Sequence, residues 1–108
     1  MRAAERVPLP PAGTSASRKA DLERFEAQVA EWTALIGQCR AGARRSGAQE
    51  RQELEGLADE LQVRRNEASA QVARLRTCLE AEWEHEKAAL ERAWRGIHAS
   101  FREAGARF

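Results

Sequence analysis

Between residues 22 and 43 the apolar side chains fall at Leu22, Phe25, Val29, Trp32, Ile36, Cys39 and Ala43, with mostly polar or small residues between them. The intervals alternate three and four, which is the seam of a left-handed coiled coil, and Ser17 stands ahead of it as a reasonable N-cap. The pattern predicts a first helix over about 18–43. Gly42 and Gly47 flank the residues "ARRS", and Ser46 followed by Gln49 has the form of a capping box. A turn at 44–47 and a new helix from about residue 48 follow.

The second segment is spaced differently. Leu57, Ala68, Leu79, Leu90 and Phe101 recur every eleven positions, as do Leu61, Val72, Trp83 and Trp94, and as do Leu75, Glu86, Ile97 and Phe108. An eleven-residue repeat corresponds to about 3.67 residues per turn, so the apolar stripe runs nearly straight along a long helix. The columns keep phase through "RRNEAS" at 64–69, which predicts one helix over 48–104; a break near Asn66, giving three helices, is the alternative. Residues 1–17 are rich in Pro, Ala and Ser and predict a disordered tail, whose "PLPP" at Pro8 to Pro11 formally matches a PxxP motif. The expected fold is all-α: a long antiparallel helical hairpin over 18–108, a coiled coil whose second helix is about twice the length of the first.

Such a hairpin has an energetic consequence. Reversal near Ser46 sets Cys39 near Leu54, Trp32 near Leu61 and Leu22 near Val72, and the first helix is then used up. More than thirty residues remain beyond Val72, on the order of 50 Å of helix at about 1.5 Å per residue. That overhang carries Leu75, Leu79, Trp83, Leu90, Trp94, Ile97, Phe101 and Phe108 on one face. Burying even half of these contributes several kcal/mol, at about 1.5 to 3 for each large side chain. The expected resolution is a homodimer or higher homo-oligomer with overhangs paired antiparallel; folding only on a foreign partner is the other. Glu80, Glu82, Glu84, Glu86 and Glu91 lie between arginines at 64, 65, 74 and 76 and at 92, 95 and 102, so antiparallel pairing sets unlike charges together at the edges.

Composition narrows the function classes. With 108 residues the chain has room for one small domain, and its 32% charged residues and mean hydropathy of −0.66 describe a surface-rich protein. Eighteen Lys and Arg against seventeen Asp and Glu give a formal charge of +1, which supplies no overall field for collecting nucleic acid phosphates. The start, "MRAAERVPLPPAG", lacks the apolar centre of a secretion signal, and no apolar run of about 18 residues is present to cross a bilayer. A cytoplasmic location is the expectation. Cys39 and Cys78 lack both zinc-knuckle spacing and disulfide density, and read as reduced thiols serving as small apolar side chains.

Candidate chemistry is sparse. Glu82 and His85 form a Glu-x-x-His pair, but a di-metal bundle site needs a second pair and two more carboxylates, and His85 lies about 120° from the apolar stripe. Glu86 occupies a column position between Leu75 and Ile97, either as a polar register-setter or as a mark of where the stripe is wet. No catalytic residues, no metal ligands and no cofactor are expected, because no nucleophile grouping or phosphate-binding glycine loop is present and long solvated helices offer no concave pocket. Arg40, Arg44, Arg45 and Arg51 crowd the predicted hairpin tip, where they either offset the dipole of the first helix or form a docking tip for an acidic partner. The tryptophan-bearing stripe permits an interfacial membrane helix, but glutamates flank Trp83 where anionic lipid favours Lys or Arg, so a membrane surface is disfavoured.

Taken together, "ERFEAQVAEWTALI" and "EWEHEKAALERAWRGIHASFREAGARF" resemble a group of small bacterial coiled-coil proteins typified by a cyanobacterial stress-response protein. The shared features are a tryptophan, an Ala-Trp about eleven residues later and a closing Arg-Phe, here Arg107 and Phe108, and they cover about residues 20–108. The resemblance implies a cytosolic helical protein induced under stress with no known catalytic role. Members of the group are lysine-rich, whereas this chain has only Lys19 and Lys87, which bears on the surface a partner reads. The expected function is a self-associating structural or stress-response coiled coil; the alternatives are an adaptor docking through the arginine tip or the tryptophan-bearing C-terminal half, and a membrane-surface or metal-binding helix.

Overall fold

The computed structural model describes residues 15–106, which form three helices: α1 (Ser15–Arg44), α2 (Ala48–Thr77) and α3 (Trp83–Gly105), with a 3-10 turn at Glu80–Glu82 before α3. The fold is all-α. The "PLPP" motif, most of the expected tail and Phe108 lie outside the described residues, while residues 15–17 belong to α1.

α1 follows its seam. Phe25, Val29, Trp32, Ile36, Cys39 and Ala43 are all buried. Asp21 is buried one position before Leu22, which is half-buried against the core. Helices α1 and α2 run antiparallel: Cys39 Sγ donates to the Leu54 carbonyl at 3.3 Å, Arg65 Nε donates to Thr33 Oγ1 at 3.0 Å, and Arg76 pairs with Glu26. The turn between them differs from a capping box, because Gly47 is the N-cap of α2 and makes no side-chain cap bond. Ser46 Oγ lies 2.8 Å from the Gly42 carbonyl and 3.2 Å from Glu50 Oε2, so it ties the end of α1 to the first turn of α2 without capping an α2 amide.

The predicted 57-residue second helix is instead two helices. The chain leaves the helical conformation at Cys78 (φ −72°, ψ 159°) and Leu79 (φ −70°, ψ 153°), and α3 returns along α2 and α1. α2 is as long as α1, at 30 residues each. Asn66 is not the break; it lies mid-helix, its Oδ1 accepting from Gln62 Nε2 at 3.1 Å. No glycine or proline stands at residues 78–82, so burial imposes the break. Returning α3 encloses Trp83, Leu90, Ile97 and Phe101, at 2%, 0%, 4% and 3% exposure. At about 1.5 to 3 kcal/mol each that is roughly 6 to 12 kcal/mol. It outweighs the few backbone hydrogen bonds lost at the bend, at about 0.5 to 1.5 kcal/mol each.

This overturns the reading of an uncovered overhang. Leu75, Trp83, Leu90, Ile97 and Phe101 belong to the chain's own core, Trp94 packs against it half-buried, and among the described members of that set Leu79 alone stands out at 68% exposure. The eleven-residue columns also resolve differently. The buried and half-buried positions of α2 include 54, 58, 61, 65, 68, 72 and 75, and those of α3 include 83, 87, 90, 94, 97, 101 and 104, each series alternating four and three, with 57, 62, 69 and 71 half-buried beside the first. Eleven is one seven-residue repeat plus a step of four, so the Trp83–Trp94 interval fits both repeats. Lys87 takes the inward position beside Glu86, which is also half-buried.

Leu90→Ala is expected to destabilise the isolated chain by about 2 to 5 kcal/mol in urea unfolding, whereas Val63→Ala, at a side chain 57% exposed, should stay within about 0.5 kcal/mol. Equal, negligible effects would mean that α3 does not pack within its own chain.

Candidate functional site

Where α1 and α3 meet they run parallel: Arg18 reaches Glu80, Asp21 reaches Lys87, Phe25 meets Trp94 and Trp32 meets Phe101. Their backbones do not approach as closely as either does to α2. Large rings fill the difference. Phe25 meets Trp94 edge-on at 5.1 Å, Trp94 meets Trp32 at 5.0 Å and 40°, and Trp32 stacks on Phe101 at 4.7 Å and 10°. The heptad steps place these residues on facing sides of the two helices, and each ring pair adds about 0.5 to 1.5 kcal/mol beyond its burial.

One end of this column is fixed by charge. Asp21, only 7% exposed, accepts from Arg24 at 3.1 Å through Oδ1, and the Lys87 ammonium lies 2.9 Å from Oδ2. Arg18 sits over the Trp83 ring at 5.3 Å and reaches Glu80 at 3.3 Å. A one-turn slip of α3 along α1 would take Lys87 from the Asp21 carboxylate and leave it Arg24 alone, so the Asp21–Lys87 pair favours this register.

Outside the aromatic column the wide spacing leaves an open groove of about 700 Å³, lined by Arg24, Phe25, Gln28, Glu91, Trp94, Arg95, His98, Ala99 and Arg102. It adjoins a hollow of about 350 Å³ that shares Gln28, His98 and Arg102 and adds Trp32, Leu35 and Phe101. The main groove carries three guanidinium groups against one carboxylate. Arg24 also lies over Phe25 at 5.0 Å, and Arg102 donates to His98 Nδ1 at 3.3 Å, since a guanidinium has no acceptor to offer. Of the three tryptophans, Trp32 and Trp83 are buried at 3% and 2%, and Trp94 alone is half-exposed, at the groove floor.

The hairpin tip is less convergent than its sequence suggests. Arg51 donates to the Ala43 carbonyl at 3.3 Å and the Ser46 carbonyl at 3.4 Å, the role of a cation at the end of α1. Arg40 pairs with Asp59 at 3.2 Å, and Arg44 and Arg45 are exposed. Glu82 and His85 are both exposed, and among the described residues no three His, Cys, Asp or Glu side chains are grouped to hold a metal ion. Nor is any helix among them long and apolar enough to cross a membrane.

The groove is the site that sequence reasoning missed. Arg24 lies on the predicted first helix and Arg95 and Arg102 on the overhang expected to extend beyond it, and only the return of α3 brings them to one rim. Comparison with family models, with curated proteins and with solved structures gives no match. The resemblance to stress-response coiled coils thus rests on the residues quoted for it.

Iodide is expected to quench Trp94 preferentially, because it is the least buried of the three indoles and arginines line the groove beside it. Trp94→Phe should remove most of the iodide-sensitive emission, with caesium much less effective than iodide on the wild-type chain. Quenching that survives Trp94→Phe unchanged would contradict the placement of that ring.

Proposed function

We propose that the chain is a non-enzymatic helical adaptor that seats an acidic amphipathic helix of a partner protein in the α1–α3 groove. The observation that carries this reading is the half-exposed Trp94, held between Phe25 and Trp32 beneath the Arg24, Arg95 and Arg102 rim. An apolar side chain of the partner covers the open edge of Trp94, and its carboxylates meet the guanidinium groups in a geometry suited to bidentate pairing. Tryptophan and arginine are the side chains in which interface energy concentrates. A helix laid between α1 and α3 makes the fourth member of a bundle and meets a strip of apolar floor at helical spacing. This keeps the adaptor role expected for the tryptophan-bearing C-terminal half and moves it from a bare helix face to a groove shared with α1. Exposed Arg44 and Arg45 remain a secondary contact at the far tip.

A designed Leu/Glu amphipathic peptide, followed by fluorescence anisotropy, is expected to bind and to shield Trp94 from iodide, while its Leu/Lys counterpart does not. An Arg95→Glu/Arg102→Glu variant should bind at least about tenfold more weakly, a loss of about 1.4 kcal/mol, and wild-type affinity should fall with added salt. Equal binding of the two peptides, or indifference to the charge reversal, would overturn the reading.

A further inference from the structure

The bend at residues 78–82 lacks every local feature that usually makes a chain turn. It contains neither glycine nor proline, and neither Leu79 nor Glu82 supplies a side-chain cap to the segment it precedes. Leu79 is left 68% exposed at the corner. The spacing of apolar residues nevertheless runs through the bend without interruption, from Val72 to Trp83 and from Ala68 through Leu79 to Leu90 at eleven positions each. A straight α2–α3 helix therefore keeps its apolar stripe on one face, and it restores i to i−4 hydrogen bonds across the corner.

We propose that two copies of this chain form a dimer by exchanging α3: α2 and α3 straighten into one helix through residues 78–82, and each α3 packs on the α1–α2 hairpin of the other copy. Exchange preserves the contacts of α3 with α1 and α2, because the same residues are presented by the second chain. Trp94 still lies between a Phe25 and a Trp32. Only the corner differs, losing the hydrogen bond from the Glu82 amide to the Leu79 carbonyl. The occupant of the vacated hairpin is thus a second copy of this chain, and closed two-fold symmetry follows from the reciprocal exchange. This inference is independent of the adaptor reading, since it rests on the corner and not on the groove.

The register of the long helices follows from the present packing. Gln71 and Ala93 line one cleft between α2 and α3, as do Glu67 and Gly96, so two straightened helices cross near residue 82. Leu79 then lies within the crossing, near residues 84 and 85 of the second copy, instead of at an open corner. Glu80, Glu82 and Glu84 approach their copies there, a repulsion that added salt screens. Exchange is therefore favoured by high protein concentration and by high ionic strength.

The test refolds the full chain from denaturant at low and high concentration and measures mass by light scattering. Intrachain distances are read between spin labels at Ala70→Cys and Arg92→Cys in a Cys39→Ala/Cys78→Ser background, diluted with unlabelled chain. Both label sites are exposed. In the dimer the two labels should separate from near the helix-to-helix spacing of about 10 Å to about 33 Å, which is 22 residues of straight helix. Glu80→Pro is the decisive variant. Leu79 already has the extended conformation that precedes proline, and the first position of a helical turn accepts it. It should therefore retain the monomer's helicity, with melting lowered only slightly by loss of the exposed Arg18–Glu80 pair, while losing the dimer, because proline breaks a straight helix there. A dimer whose intrachain distance stays short, a Glu80→Pro chain that dimerises like wild type, or a chain that stays monomeric after refolding at high concentration and high salt would each refute exchange.

Discussion

The column of rings formed by Phe25, Trp94, Trp32 and Phe101 is the contact on which the rest of the molecule depends. It joins two helices that are separated in the chain by the whole of α2, and it exists only because α3 turns back at residues 78–82. The hairpin of α1 and α2 alone presents Phe25 and Trp32 with nothing above them, and α3 alone is a helix of 23 residues with one apolar face. Each half supplies what the other must bury. The bend is the weaker party in that exchange, which is why it needs no breaker of its own.

The same rings determine the shape of the surface. Indole and phenyl groups are too large to let α1 and α3 approach as closely as each approaches α2, whose facing positions include Ala58 and Ala68. Small side chains draw helices together and large ones prop them apart. The groove is the visible side of that propping, so the core and the candidate site are two aspects of one packing choice. The arginines gather at its rim because the outward positions of α1 and α3 flank the seam, and parallel helices bring those flanks to one side. The Asp21–Lys87 pair then holds the two helices at one axial offset.

Much of the fold was legible in the residues. The seam of α1 and the start of α2 at residue 48 follow from three-four spacing and from the glycines around "ARRS", because local signals of that kind act without reference to distant parts of the chain. The α3 seam was legible as an apolar stripe but not as an intrachain one. Trp83 and Trp94 stand eleven apart, an interval shared by a straight eleven-residue repeat and by a heptad plus one step of four. The groove had no local signal at all, since Arg24 and Arg95 are 71 positions apart.

What the sequence by itself determined is the helical periodicity, the one glycine-flanked turn and the identity of the side chains that need cover. Those are set by local sterics and by the solvent's rejection of apolar surface, and both act residue by residue. The tertiary structure alone decided which surface provides the cover. Residues 78–82 are compatible with helix and with a bend, and the choice turns on the burial of four large side chains some distance away. Packing energy summed over a whole interface exceeded a weak local preference, and with that the direction of α3, the aromatic column and the charged groove were settled together.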